Sequence, residues 1–268
     1  MKERFENPPL VELVAEVRWV VDAGLEPGAP FFQGPNSQSS EEFLSRLLAE
    51  LAQAGYGVSE RLIPPGFPLM NQAPVARYKK SGRQASALDE TASTLFQAGA
   101  GLFTVNAVPP YKSWNQFRPV VALGIEALIN SNPPKRGGFN LTLRYIDAFK
   151  QDLTQGRSHR DFLQDVMGIR LLIPTALEKL STDGSVVVPM LQTVVPLAFG
   201  SLQIQFAEGN LQGENVFLME NIVTIAGEHG NQLDAILSAL DEARSVVHQS
   251  FVELTRPIHE QMIISEGE

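Results

Sequence analysis

Two stretches of this chain alternate apolar and polar side chains with the regularity that is typical of β-strands. In "VELVAEVRW" (11–19) an apolar side chain recurs at every second residue, and "NLTLRYIDAF" (140–149) does the same as far as Tyr145. A period of two predicts a strand with one face on a core and the other on solvent. Arg18 and Arg144 occupy matching positions in the two strands. Because an amphipathic sheet must cover its apolar face, we expect an α+β fold with helices packed on one side of the sheet.

The order of the predicted elements repeats along the chain. Residues 1–132 are predicted to form a strand, a helix, four strands and a second helix, and residues 138–268 follow the same order. The linker-like "NSNPPKRGG" (130–138) separates the two halves. The shared order predicts an internal duplication of a β-α-β4-α repeat. Two repeats joined edge to edge would form one continuous curved antiparallel sheet, a layout that resembles the helix-on-sheet folds of the TATA-binding-protein and helix-grip (Bet v 1) kinds.

Glycine and proline set the expected bounds of the elements. Helices are predicted over about 40–54, 112–130, 158–167 and 231–262. Strands are predicted over about 56–63, 74–81, 93–98, 102–108, 169–178, 185–197, 200–207 and 215–227. Gly99-Ala100-Gly101 is predicted to be a hairpin turn. Residues 24–40, rich in Gly, Pro, Ser and Gln, are predicted to be a loop.

Composition excludes several kinds of site. The 268 residues include no cysteine, so disulfides, thiolate nucleophiles and cysteine-ligated metals are excluded. The formal net charge of −9 argues against broad binding to nucleic-acid phosphates, although short basic clusters such as "RYKKSGR" (77–83) occur. The first residues have no apolar signal core, and no run of about 18 apolar residues is present. We therefore expect a cytoplasmic protein without a membrane span.

Sequence motifs for catalysis and cofactor binding are missing. The chain has no G-x-S-x-G, no G-x-x-x-x-G-K-[ST] and no H-E-x-x-H, so neither a nucleophilic serine, nor a phosphate loop, nor a zinc site is predicted. The four histidines are predicted to be solvated rather than metal-bound. No cofactor is expected, and the motif content favours a protein that is not an enzyme.

Three motifs in order resemble those of a sporadically distributed family of uncharacterised bacterial proteins. They are an N-x-P-[LIV]-V-E opening, a Y-x-x-W-x-x-F helix start and an L-R-Y-I-[DN] strand. The matching residues are Asn7, Pro9, Val11, Glu12, Tyr111, Trp114, Phe117, Leu143, Arg144, Tyr145, Ile146 and Asp147. The resemblance implies no catalytic residues. The patchy distribution of such a family implies an immunity, antitoxin or defence role.

Five strand residues are candidates for binding a ligand or a partner. Arg18 and Arg144 could together hold a carboxylate or phosphate, with Trp19 and Tyr145 beside them. The structural alternative is that each arginine pairs with a nearby acid, such as Glu16 or Asp147. Glu12, within an apolar strand, is either a buried general base or the partner of one of these arginines.

The predicted C-terminal helix carries a heptad-like apolar seam. Its last part, with Phe251, Leu254 and Ile258, is predicted to overhang the sheet and to contact a partner helix or a second copy of the chain. The alternative is that the seam lies across the helix's own sheet. The preferred function is therefore a protein-binding scaffold that acts on a partner protein. The second hypothesis is a small-molecule or nucleotide-binding module with a cavity between sheet and helix.

Overall fold

The structure, a computed structural model, describes residues 4–5, 7–21, 37–63, 72–80, 93–109, 113–180, 190–262 and 264–265. The strands are β1 (Arg4–Phe5), β2 (Leu10–Val21), β3 (Val58–Arg61), β4 (Ala76–Lys79), β5 (Thr94–Gly99), β6 (Leu102–Ala107), β7 (Lys135–Phe149), β8 (Leu191–Leu197), β9 (Gly200–Leu211), β10 (Glu214–Ile225) and β11 (Ile264–Ser265). The α-helices are α1 (Ser37–Gln53), α2 (Trp114–Asn130), α3 (Gln151–Thr154), α4 (His159–Asp165), α5 (Thr175–Glu178), α6 (Leu233–Thr255) and α7 (His259–Met262).

The main sheet is antiparallel and has nine strands, in the order β3-β4-β5-β6-β2-β7-β10-β9-β8. β1 and β11 form a separate two-stranded sheet. The predicted α+β class with one antiparallel sheet is therefore confirmed. The order β2-α1-β3-β4-β5-β6-α2 matches the predicted β-α-β4-α repeat in the first half of the chain. The duplication and the likeness to the TATA-binding-protein and helix-grip layouts remain predictions.

Several predicted bounds agree closely with the structure. β5 and β6 pair directly through a turn at Ala100 and Gly101, and Gly101 takes a left-handed φ of +77° that favours glycine. α2 begins at Trp114 and contains Pro119 in its first turns, so the helix starts slightly later than predicted. Most of the predicted loop over 24–40 lies outside the described residues.

Two predictions about the second half are wrong. Residues 169–178 do not form a strand, since the segment is irregular up to Pro174 and then forms the short helix α5. Leu172 in this segment is 87% exposed, so no sheet surface organises the apolar run into a strand. The helix predicted over 231–262 ends at Thr255, because Pro257 lies in the 3-10 turn that follows and cannot donate a backbone hydrogen bond.

Contacts divide the chain into two compact units. Unit 1 comprises Met1–Val11, Tyr145–Val223 and Ser245–Glu268, and unit 2 comprises Glu12–Arg144 and Thr224–Arg244. β7, β10 and α6 each contribute residues to both units. The division of the chain into repeats at 1–132 and 138–268 remains a prediction.

In unit 2, α1 and α2 cover one face of the strands. The strand residues on this face are apolar and buried, and they are Leu13, Ala15, Val17, Trp19, Phe96, Phe103 and Val105. Phe43 of α1 meets the Trp19 ring edge-on at 5.7 Å between centroids. α2 lies so close to the strands that a Cβ added at Gly124 would be 2.6 Å from Cε1 of Phe96. The helices and strands of this unit are thus in direct contact.

In unit 1, the core is a cluster of phenylalanines between α4 and the strands. Phe217 of β10 is the centre of this cluster, with ring centroids 4.9 Å from Phe162, 5.9 Å from Phe149 and 6.0 Å from Phe206. Each of these rings is almost fully buried. Aromatic rings in tilted contact of this kind add to the free energy that burial of their area provides.

Candidate functional site

The face of unit 2 opposite the helices carries polar side chains in register across its strands. The strand pairings place Glu60 opposite Arg77, Arg77 opposite Gln97, Gln97 opposite Thr104 and Thr104 opposite Glu16. At the end of this row nearest β3, neighbouring side chains interact with each other. Arg77 lies 3.4 Å from Glu60, and the Gln97 amide oxygen, turned to the guanidinium, accepts from Arg77 at 3.2 Å. We call these residues, together with Glu12, Arg18, Lys79 and Asn106 on the same face, the polar face of unit 2.

Arg18 is engaged by the carboxylate two residues before it on the same strand face. Its Nε donates to Glu16 Oε1 at 2.6 Å and its Nη2 donates to Oε2 at 3.1 Å. Nη1 donates to the side-chain oxygen of Gln72 at 3.1 Å. The hydrogen bonds that Arg18 donates to the Glu16 carboxylate raise the pKa of Arg18 above its ordinary value. Arg18 therefore pairs with Glu16, which is the structural alternative that the sequence offered for this arginine.

Glu12 has a different partner from the arginines predicted for it. Its Oε1 accepts a hydrogen bond from Asn106 Nδ2 at 2.8 Å, and Asn106 Oδ1 accepts from Thr104 Oγ1 at 2.6 Å. Asn106 and Thr104 are about 5% exposed, so this chain of hydrogen bonds satisfies buried polar groups. The prediction of an Arg18–Glu12 pair is wrong because Glu16 lies nearer to the guanidinium along the strand.

Trp19 is a core residue of unit 2. It is 1% exposed and meets Phe43 and Phe139 edge-on, with centroids 5.7 Å and 6.0 Å away. Alternation along β2 turns Trp19 to the helix side and Arg18 to the polar face. The predicted site lined by both residues is therefore wrong, since consecutive strand residues point to opposite faces.

Arg144 and Tyr145 are consecutive residues of β7, and both are half-exposed. Each of them takes part in an interaction within the chain. The same alternation that separates Arg18 from Trp19 turns these two side chains to opposite faces of β7. A joint role for Arg18 and Arg144 in binding an anion stays a prediction.

The C-terminal residues predicted to contact a partner helix lie against their own unit. Phe251 is 9% exposed and Ile258 is 2% exposed, while Leu254 is half-exposed. Phe5 covers Phe251 at 5.6 Å between ring centroids and His259 at 4.8 Å. The predicted overhang is therefore wrong at Phe251 and Ile258, because the N-terminal segment of the chain returns to cover this end of the helix.

Two histidines are buried rather than solvated as predicted. His159 and His259 are 8% and 7% exposed. His159 stands edge-on to Phe217 at 4.6 Å, and burial lowers its pKa, although Glu208 lies 3.6 Å from Nδ1. His259 Nε2 lies 3.2 Å from the Thr255 hydroxyl. Both histidines serve as packing residues of unit 1.

Asp147, predicted as a possible partner of Arg144, is a buried acid. It is 2% exposed, and its Oδ2 has no hydrogen-bond partner. Burial raises the pKa of this carboxyl to about 8. The strand pattern already contained the signal, since Asp147 has the same parity as Leu143 and Phe149 and the opposite parity to Arg144.

Unit 1 also exposes large apolar side chains to solvent. The exposed fractions are 87% for Leu172, 49% for Leu177, 72% for Leu180, 85% for Met190, 57% for Val194 and 44% for Val195. We call these six exposed residues, which fall between positions 172 and 195 of the chain, the apolar surface of unit 1. The sequence contained a signal for it, because residues 184–207 include no Asp, Glu, Lys or Arg. Charged groups and catalytic motifs do not reveal this segment, because it contains neither.

The two edge strands of the nine-stranded sheet differ in chemistry. β3 has four residues, and two of them, Glu60 and Arg61, are held in ion pairs with Lys79 and Glu41. β8 has seven residues, none of them charged, and Val194 and Val195 are exposed on its two faces. Short strands and charged side chains protect an edge from pairing with another chain, so β3 is protected and β8 much less so.

Comparisons with known proteins give no match that would indicate a function. The chain matches no family model, no curated protein and no solved structure. Within the residues that the structure describes, no three His, Asp or Glu side chains are grouped so that they would hold a metal ion. No helix in the described part of the chain has both the length and the apolar character that crossing a membrane requires. The motif resemblance remains a prediction, and one of its residues, Tyr111, lies outside the described residues.

Proposed function

We propose that this protein acts by binding another protein through the apolar surface of unit 1. The observation that carries the proposal is the exposure of Leu172, Leu180 and Met190, each of which leaves more than two thirds of its surface in water. Apolar area in water costs about 25 cal/mol per Å², so burial of these side chains against a partner would stabilise a complex. A protein partner would remove this area from water.

β8 supplies the second part of the proposed contact. An edge strand has one row of backbone N–H and C=O groups that its own sheet does not pair, and a strand of another chain can pair with it. Such pairing combines backbone hydrogen bonds with side-chain contacts on both faces. Val194 and Val195 offer an apolar contact on each face of β8.

The polar face of unit 2 is a less suitable contact surface, because its charged side chains already pair with each other. Glu16 and Arg18 bind each other, and Glu60 binds Lys79 at 3.0 Å. Charges that neutralise each other in this way attract an incoming anion or cation less than an unpaired charge would. We therefore place the partner contact on unit 1 and give the polar face of unit 2 a structural role.

The alternative of a ligand cavity between sheet and helix has less support in unit 2. The close approach of α2 at Gly124 fills that space with Phe96 and Val105. A metabolite would need a cavity of roughly 300 Å³ or more, and direct contact between α2 and the strands works against one. The binding of a protein surface requires no such opening.

An immunity, antitoxin or defence role is the finer form of the proposal. In that role the partner would be a toxin or an effector protein, and the chain would neutralise it by covering part of its surface. The products of adjacent genes are the first partners to test. Co-expression of each with this chain, followed by size-exclusion chromatography, would show whether the two proteins form a stoichiometric complex.

Two matched variants test the proposed surface. Val194→Lys places a charge on the edge strand of unit 1, and Val58→Lys places one on β3, where the valine is 45% exposed. Both positions are exposed, so we expect the free energy of unfolding to change by no more than about 0.5 kcal/mol in either variant. Tagged wild-type and Val58→Lys chains should capture the same partner from native cells, and Val194→Lys should lose it. Capture that is equal for all three chains, or absent for all three, would contradict the proposal.

A further inference from the structure

We propose that the strand that pairs with β8 is β8 of a second copy of this chain, in an antiparallel arrangement about a two-fold axis at Thr193. This inference rests on the proposed function, because it names the partner for the edge strand of the same surface. The dimer would extend the antiparallel sheet across the axis. Four observations on β8 carry it: its free edge, its lack of charge, the chemistry of the symmetric register and the position of Pro196.

The free edge of β8 follows from its strand pairing. β8 pairs with β9 along its whole length, from Leu191 opposite Phe206 to Leu197 opposite Gly200. Among the described residues no strand pairs with its other side. Alternate residues of an antiparallel strand direct their N–H and C=O groups to that side, where they need hydrogen-bond partners.

The lack of charge favours a second copy over a different protein. In a two-fold symmetric contact, the residue on the axis faces its own counterpart, so a charge at that position meets a like charge. The chain has a formal net charge of −9, yet residues 184–207 carry no charged side chain. A segment without charges can face a second copy of itself with no like-charge contact, and it offers no charged group that would select a different, oppositely charged partner.

The symmetric register gives favourable side-chain pairs. With Thr193 on the axis, the two threonines oppose each other, Gln192 opposes Val194, and Leu191 opposes Val195. A threonine pair on adjacent strands contributes about 0.2–1 kcal/mol relative to an alanine pair. The contact of Leu191 with Val195 would bury apolar area. Leu191 and Val195 lie on the side of β8 that continues the buried residues Phe206 and Leu202 of β9. The row of apolar side chains on this face of β9 and β8 would therefore continue into the second copy.

Pro196 is compatible with this register. Proline cannot donate a backbone hydrogen bond and is found on edge strands for that reason. Its place after Val195 leaves Leu191–Val195 free to pair and limits the contact to this segment. The proline would thus prevent a longer, out-of-register pairing without blocking the proposed one.

A cysteine cross-linking experiment reads the register directly, because the natural chain has no cysteine. Cα atoms of directly opposed residues lie about 4.5–5.5 Å apart in an antiparallel pair, within disulfide range. Thr193→Cys should therefore give a covalent dimer on mild oxidation. In Gln192→Cys the two introduced cysteines would lie about 8 Å apart diagonally, which is too far to bridge. We expect its cross-linking to be at least tenfold slower.

A mixed sample completes the test of the register. Gln192→Cys chains mixed with Val194→Cys chains should cross-link with each other as fast as Thr193→Cys does with itself. The thermal unfolding of each variant serves as a check on folding, since these side chains are on or near the surface. No dimer from Thr193→Cys, or equal dimer yields from Thr193→Cys and Gln192→Cys, would overturn the register.

The mass in solution tests the dimer without any cross-link. Wild-type chain measured by light scattering should have twice its monomer mass of 29.4 kDa. Val194→Lys should weaken self-association at least tenfold, because it places a charge beside the axis. A wild-type monomer that still captures another protein through Val194 would overturn the second-copy inference and leave the proposed function standing. A monomer that captures nothing would overturn both.

Discussion

The buried carboxyl of Asp147 makes the stability of this protein depend on pH in a predictable direction. Asp147 is fully buried, its Oδ2 has no hydrogen-bond partner, and burial raises its pKa to about 8. In the unfolded chain the group returns to an ordinary value near 3.9. The folded state therefore binds this proton more tightly, and stability is lost as the pH rises from about 4 to about 8.

The size of the effect follows from the difference between the two pKa values. That difference is roughly four units, and each unit corresponds to about 1.4 kcal/mol, so the ionised group costs at most roughly 6 kcal/mol. Water that reaches the carboxylate by local opening lowers this upper bound. Within the range between the two values, the free energy of unfolding should fall by up to about 1.4 kcal/mol per pH unit.

The variant Asp147→Asn removes the titration and keeps the shape of the side chain. We expect it to unfold at a higher urea concentration than wild type at pH 8, with the difference shrinking towards pH 4. Urea unfolding followed by circular dichroism at half-unit steps from pH 5 to pH 8.5 measures this difference. Asp152→Asn is the matched control, because Asp152 is exposed on α3 and should show no such trend.

A specific result would refute this reasoning. If wild type and Asp147→Asn lose stability in parallel as the pH rises, the buried carboxyl is not the group that ionises. If Asp147→Asn is less stable than wild type throughout, the carboxylate has a favourable partner in solution. Either outcome would remove Asp147 from the physical explanation of the core of unit 1.

Three further substitutions test the packing that underlies the fold. Gly124→Ala should destabilise the protein by about 1–3 kcal/mol, despite the better helix propensity of alanine, because its Cβ would meet Phe96. Phe251→Ala should cost about 3–5 kcal/mol, since the residue is only 9% exposed and its ring is packed in the core of unit 1. Glu16→Gln should cost about 1–3 kcal/mol, because it leaves the half-buried Arg18 guanidinium without its carboxylate.

Each of these substitutions has a control within the chain, measured by the same urea unfolding. Gly57→Ala adds a methyl group at ordinary contact distance, so it should be tolerated. Leu254→Ala truncates a half-exposed side chain and should cost less than Phe251→Ala. Glu42→Gln alters an exposed pair with Arg46 at 4.0 Å and should change stability by less than about 0.5 kcal/mol. Costs as large in the controls as in the test variants would contradict the packing described.

The strands and helices of the first half could be predicted because local signals and burial agree there. β6 is bounded by a glycine turn and a proline, and it lies within one residue of its predicted range. Trp114 and Phe117, which set the helical period, are both buried residues of α2. Where the apolar side chains that define the period are also the buried ones, the sequence pattern alone predicts the element.

The second half was harder because apolar runs there are not all buried. The segment at 169–178 has the composition of a strand, yet Leu172 is exposed and the segment forms no strand. Composition indicates how much apolar area is present but not which surface covers it. The same limit applies to Phe251, whose cover comes from Phe5 at the far end of the sequence.

The candidate site was the least predictable feature. Arg18 and Glu12 are conspicuous in the sequence because they are charges within strands, yet Arg18 donates to Glu16 and Glu12 accepts from Asn106. The apolar surface of unit 1 consists of ordinary leucines and valines, and only exposure separates it from core. A long segment without charge was the signal in the sequence, and it becomes informative once β8 is known to be an edge strand.

A photo-crosslinking measurement in native cells tests the protein-binding surface most directly. A photoreactive amino acid is placed at Val194, on the edge strand β8, or at Val58, on the edge strand β3, and the cells are irradiated. We expect a discrete covalent protein adduct from position 194, with the mass of a second copy of the chain or of another partner, and none from position 58. Position 194 without an adduct, or the same adducts from both positions, would contradict the proposal that unit 1 binds a protein through its apolar surface.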